Sequence, residues 1–224
     1  MSANSLFPLI RRFSRPVTGV LVRFPVSANQ VTAMSLLVGL AAAWAAAQGT
    51  WGASLASGFL LFVAYVLDHC DGEIARLKNQ CSPFGMHFDS FVDWIVHAAF
   101  FWGLGVGVTV VTGKAYWNWL GLAAAAGATI NYFIGFLHGI RDVTSASDDP
   151  DQTWRRAPDN AQKPQTTGEW ILFVFRELTR ADFCFIVLAL AAFDVLWVLL
   201  PAGAVGAQVY WMTALIKRAR EFHV

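Results

Sequence analysis

Six stretches of this chain are apolar over lengths that match the thickness of a bilayer, and nothing else in it constrains the fold as much. They run over 31–48, 51–77, 85–111, 115–138, 182–200 and 202–215. A hydrocarbon core takes about 20 apolar residues of helix, and only helices or closed barrels satisfy their own backbone hydrogen bonds there. The connectors QGTWG, NQCSPFG, VTGK and LLPAG carry the Gly or Pro that punctuates helices. Charged residues make up only 14% of the chain, against about 25% in soluble domains. The expected fold is an all-α integral membrane protein with six transmembrane helices.

Ahead of the first span, residues 4–24 alternate apolar side chains with Arg11, Arg12, Arg15 and Arg23. That pattern predicts an amphipathic helix lying at the membrane interface, and not a signal peptide. Of sixteen Lys and Arg, all but Lys114 then fall on the side of the N-terminus. Such a bias predicts that both termini are cytoplasmic. Residues 139–168 are polar and form a long cytoplasmic loop between spans 1–4 (31–138) and spans 5–6 (182–217). The whole of 1–224 reads as one membrane domain. Trp51, Trp117, Trp119, Trp197 and Trp211 read as interface anchors. Cys70, Cys81 and Cys184 lack metal-ligand spacing and are expected to be small buried residues.

Against that apolar background, DHCDGEIARLKNQCSPFGMHFDSFVD at 68–93 holds Asp68, Asp71, Asp89 and Asp93. At 100° per residue, Asp68, Asp71, Gly72, Ala75 and Arg76 share an arc of about 140° on the second span. Gly85, Asp89, Asp93 and His97 recur every four residues on the third. A hairpin turning near position 80 sets Asp68 level with Asp93, and Asp71 level with Asp89. Four unpaired carboxylates would cost roughly 10 kcal/mol, at about 2.5–3.5 each in mid-membrane. Arg76 and Lys78 cannot neutralise them all. Oxygen ligation of this kind suits Mg²⁺, Mn²⁺ or Ca²⁺ and disfavours Zn²⁺. Small residues, a metal and an Arg on one face describe a diphosphate site. Glu73 is expected to face the cytoplasmic interface or to pair with Arg76 or Lys78. His69 reads as a polar filler, His97 as a hydrogen-bonded core residue, and Asp194 as reaching water at the far interface.

The spacing D-x2-D-G-x2-A-R-x8-G-x3-D-x3-D is met at every fixed position by Asp68, Asp71, Gly72, Ala75, Arg76, Gly85, Asp89 and Asp93. In this the chain resembles the CDP-alcohol phosphotransferases. SANQVT, with Asn29 and Thr32, is similar to that family's PN-x-x-T entry but has no Pro directly before Asn29. The resemblance implies transfer of a substituted phosphate from a CDP-linked alcohol to an acceptor alcohol, with CMP as leaving group. It implies two Mg²⁺ or Mn²⁺ ions held by Asp68, Asp71, Asp89 and Asp93, with Asp93 also the general base. It further implies a nucleotide site of Asn29, Thr32, Asp68, Gly72, Ala75, Arg76 and Gly85. The implied partners are the donor, the acceptor and the bilayer, in a homodimer, and no nucleic acid. The active site is expected on the cytoplasmic side.

DGEIARLK is locally similar to the branch of the family that uses inositol phosphate, which suggests a phosphorylated acceptor. Arg141 and Arg180 are the cations placed to bind it; the other reading makes them membrane-interface anchors. The rival from another class is a transporter with a buried carboxylate site for an ion or proton. That rival leaves Gly72, Ala75, Arg76 and Gly85 without a purpose. A prenyltransferase would need two Asp-rich motifs on more spans, and an EF-hand would need different later ligands.

Overall fold

The computed structural model describes residues 9–145 and 182–221. Within them the chain forms α1 (Arg11–Leu21), α2 (Ala28–Ala46), α3 (Trp51–Leu77), α4 (Pro83–Thr112) and α5 (Tyr116–Ser145). After the undescribed stretch come α6 (Phe183–Ala192), a 3-10 turn (Leu196–Val198) and α7 (Leu199–Glu221). Side chains are described as far as Leu137 in α5 and, in α7, as far as Val209 with Trp211 and Met212. Among the described residues four helices are long and apolar enough to cross a membrane: α2, α3, α4 and Tyr116–Leu137 of α5. The chain is thus a multi-pass membrane protein by the length and composition of its helices.

Local chemistry sets the helix ends. Ser27 and Gln30 form a reciprocal capping box at the start of α2. Thr50 caps α3, while Ser82 caps α4 just ahead of Pro83, which needs no N–H partner in a first turn. Gly113 closes α4 with a φ of 69°.

The expected span over 182–200 is not one helix. α6 ends at Ala192, and Asp194 takes a φ of 58°, a left-handed turn that stops helical propagation. Asp is among the residues that tolerate this conformation. LLPAG, expected to be a connector before a span at 202, instead lies in the first turn of α7, where Pro201 has no intrahelical donor to lose. α6 has 10 residues, about 15 Å of rise, or half of a hydrocarbon core.

α2 packs against both α3 and α4, α4 against α5, α5 against α7, and α3 against α6 and α1. Small residues permit the closest of these approaches. A Cβ on Gly103 would strike the carbonyl oxygen of Ala43, and one on Gly107 the carbonyl oxygen of Ala46. Backbone cannot swing aside as a side chain can. Gly103→Ala is therefore expected to destabilise the protein by about 1–3 kcal/mol, a range typical of overpacking. Thermal unfolding in detergent would show a lower Tm for Gly103→Ala but little change for Gly52→Ala, whose Cβ meets open space.

Of the stretch 4–24, expected to lie at the interface, the described residues hold the helix α1; 4–8 lie outside them. α1 is tied to the rest of the fold at three places. Asp182, fully buried, accepts from the N–H groups of Leu9 (2.9 Å) and Ile10 (3.0 Å). Ser14 and Thr18 donate to Glu73. Beyond its C-terminus, Lys78 Nζ donates to the carbonyls of Phe24 and Val26, each at 2.8 Å. Gln80 Oε1 accepts from Ala28 N at 2.9 Å, so the α3–α4 connector also holds the start of α2.

Candidate functional site

α3 and α4 run antiparallel from a short connector, and that hairpin carries the whole 68–93 motif. One carboxylate oxygen from each of Asp68, Asp71 and Asp89 lies within 4.8 Å of the others. Asp68 and Asp89 face each other directly. Bare carboxylates that close repel one another strongly, and either a proton or a cation among them relieves that repulsion. A hard divalent cation fits an all-oxygen donor set of this kind.

Asp71 is the most enclosed of the three, 5% exposed, and accepts a hydrogen bond from Thr32 Oγ1. The same hydroxyl also lies 3.1 Å from the Ala28 carbonyl, one turn earlier on α2. Thr32 thus orients Asp71 from a neighbouring helix. Ser35, a turn deeper, donates to Thr32 O at 2.7 Å.

Asp93 stands outside the trio. It shares a crevice with Asp68, and Ser35, Ala64, Tyr65, Val92 and Val96 form the remaining walls. His97 of α4 ties Tyr65 of α3 to the Asp93 backbone, both on this crevice. Its Nδ1 donates to the Asp93 carbonyl at 2.7 Å, and its Nε2 lies 2.7 Å from the Tyr65 hydroxyl. A carbonyl can only accept, so Nδ1 carries the proton, while Nε2 shares a hydrogen bond with the Tyr65 hydroxyl. His69 is likewise engaged, donating from Nδ1 to Tyr65 O at 3.0 Å.

Toward the connector the wall becomes bare. The Arg76 guanidinium passes over Gly72, where an added Cβ would lie 3.4 Å from Nη1. Among the described residues no carboxylate comes within 4.0 Å of that guanidinium, which is exposed. Ala75 is half-buried and packs on the core. Gly85 meets α2 here, with Asn29 Oδ1 at 3.2 Å from where its Cβ would stand. The fold therefore brings Asn29, Thr32, Asp68, Asp71, Gly72, Ala75, Arg76, Gly85, Asp89 and Asp93 to one end of the α2–α3–α4 group. Arg141 belongs to α5, but its side chain lies outside the described residues, as does Arg180 altogether.

Two features differ from expectation. Glu73 pairs with neither Arg76 nor Lys78, because the hydroxyls of Ser14 and Thr18 take both its oxygens. Cys81 is exposed in the α3–α4 connector, while Cys70 and Cys184 are buried. Sequence reasoning also missed Tyr65 as the partner of His97, although Tyr65 sits one turn before Asp68 on the same face. The polar pair Ser14 and Thr18, at helical spacing among apolar and basic neighbours, was the available sign that α1 meets a polar group.

No curated protein matches the chain. The family model described as CDP-alcohol phosphatidyltransferase matches residues 25–157, more than half of the chain and all of the hairpin that carries the aspartates. Members of that family transfer a phosphate-linked group from a CDP-alcohol, generally with a divalent metal. On the motif, the converging carboxylates and this match, the chain belongs to the CDP-alcohol phosphatidyltransferase family.

Proposed function

We infer that this protein moves a substituted phosphate from a CDP-linked alcohol, CDP-diacylglycerol or a similar donor, to the hydroxyl of an acceptor alcohol and releases CMP. The observation that carries the reading is the convergence of Asp68, Asp71 and Asp89 beside the bare Gly72 and an Arg76 that no carboxylate pairs with among the described residues. Asp68, Asp71 and Asp89, with Asp93 as a fourth ligand, would hold two Mg²⁺ or Mn²⁺ ions. Bound there, such ions neutralise charge on a diphosphate and on the departing CMP oxygen. Gly72 lets the nucleotide approach the helix backbone, and Arg76 offers paired N–H donors to a phosphate. Asn29, Thr32, Ala75 and Gly85 complete the nucleotide wall.

Asp93 is the group left for proton transfer, because it lines the crevice next to the carboxylate trio. It accepts the hydroxyl proton of the acceptor as the new O–P bond forms, and the P–O bond to CMP breaks with its electron pair on CMP. Arg141 and Arg180 are proposed to bind a phosphorylated acceptor such as inositol phosphate. The distribution of Lys and Arg supports a cytoplasmic site, cytoplasmic termini, and α1 lying at the interface. A homodimer is proposed from the family likeness alone.

The decisive experiment offers labelled CDP-alcohols and candidate acceptors in parallel to purified protein in mixed micelles. Release of CMP is expected with Mg²⁺ or Mn²⁺, falling to background when EDTA is added. CMP release undiminished by EDTA would remove the metal from the mechanism. Coupled ion flux without any CMP would replace the transferase reading with a transporter.

A further inference from the structure

Glu73 of the 68–93 motif has no part in the metal trio or in the crevice of Asp93, and among the described residues it is in no ion pair. Glu73 directly follows Gly72, and its two oxygens accept from Ser14 Oγ at 3.0 Å and Thr18 Oγ1 at 2.6 Å. Both hydroxyls are enclosed, at 0% and 3% exposure, and stand one turn apart on α1. Cys70 Sγ adds a contact to Ser14 O at 3.4 Å. Arg76 is one turn along the same helix, yet no Lys or Arg nitrogen lies within 4.0 Å of Glu73 among the described residues.

A helix held only for stability has its anchor elsewhere. Phe13 of α1 packs edge-on against Phe62 at 5.2 Å and beside Phe185 at 5.8 Å, both outside the 68–93 motif in sequence. The polar ties from α1 and its exit to α3 behave differently. They land on Cys70, Glu73 and Lys78, which bracket Gly72, Ala75 and Arg76. Helix geometry converts that grip into placement. Rotating this turn of α3 by about 20° would move the Gly72 Cα by about 0.8 Å, on a helix radius of about 2.3 Å. A displacement near 1 Å is enough to cost about a hundredfold where groups must meet a reacting ligand.

We propose that Glu73 is a positioning residue: by clamping α1 through Ser14 and Thr18, it fixes the turn of α3 that presents Gly72 and Arg76 to the donor nucleotide. α1 lies outside the span matched by the family model, so the clamp joins a segment beyond that match to the motif within it. The inference rests on the transferase reading of the site.

Three variants test it: Glu73→Ala, Glu73→Gln, and Ser14→Ala combined with Thr18→Val. Glu73→Ala is expected to lower kcat/KM for the donor by about ten- to a hundredfold, with the acceptor KM within about threefold. Glu73→Gln keeps an amide oxygen for one hydroxyl and should recover most of the loss. The α1 double variant should reproduce the donor effect, and adding it to Glu73→Ala should cost nothing more, the mark of a shared interaction. In parallel, CDP with Mg²⁺ should slow amide hydrogen exchange over 11–21 in the wild type and not in Glu73→Ala. If Glu73→Ala gives too little folded protein, the Gln and α1 variants carry the same comparison. A wild type that neither turns over donor nor responds to CDP would defeat the transferase reading itself. With an active wild type, additive losses, equal changes in every kinetic constant, or unaltered exchange over 11–21 would each overturn the clamp.

Discussion

Asp71→Asn is expected to reduce kcat by about a thousandfold or more while leaving the protein folded. Asn has nearly the volume of Asp and still offers an oxygen to Thr32, so the contact between α2 and α3 survives. What disappears is one negative charge from a trio whose oxygens lie within 4.8 Å of one another. Charge stabilisation by a metal at a phosphoryl centre is worth several kcal/mol, and about 4 kcal/mol corresponds to the thousandfold. Steady-state CMP release measures the loss, and unfolding temperature checks the fold. Retention of more than about a tenth of wild-type turnover at saturating Mg²⁺ would dismiss Asp71 as a ligand.

Asp93→Asn is expected to separate chemistry from binding. A positioned general base contributes about a hundred- to ten-thousandfold, so kcat should fall within that range. Donor affinity, followed by calorimetry, should stay within about tenfold, or 1.4 kcal/mol. Asp93 stands across a crevice from Asp68 and outside the trio, which is why donor binding should survive its loss. Complete loss of donor binding would reassign Asp93 from base to essential ligand.

The four long helices were legible because their causes are local. Apolar length, the Thr50 and Ser82 caps, and the left-handed Gly113 all act within a few residues of the ends they set. The break after α6 was not legible. Residues 190–200 remain apolar almost throughout, and periodicity does not reveal a positive φ at Asp194. The candidate site divides in the same way. Face and spacing along α3 and α4 put the aspartates on the sides that meet, and α2, packed against both helices, holds those sides together. Matching depths paired Asp68 with Asp93, and the two line one crevice, but depth alone did not show that Asp68 also forms a trio with Asp71 and Asp89. Glu73 was misjudged for a further reason. Its partners lie 55 and 59 positions away, and proximity along the chain favoured Arg76 and Lys78.

The buried carboxylate of Asp182 has a bearing on how the protein is made. It satisfies the N–H groups of Leu9 and Ile10 at the head of α1, a helix end that is otherwise short of acceptors. Ile10 and its acceptor are separated by 172 residues, so α1 leaves the ribosome long before its cap exists. At about 5–20 residues per second the wait is roughly 10–35 s. During that interval Glu73 and Lys78 are already available to α1, while the tie at its leading end is not. The head of α1 is therefore locked only after α2 to α5 have been made, when the chain reaches Asp182 at the start of α6.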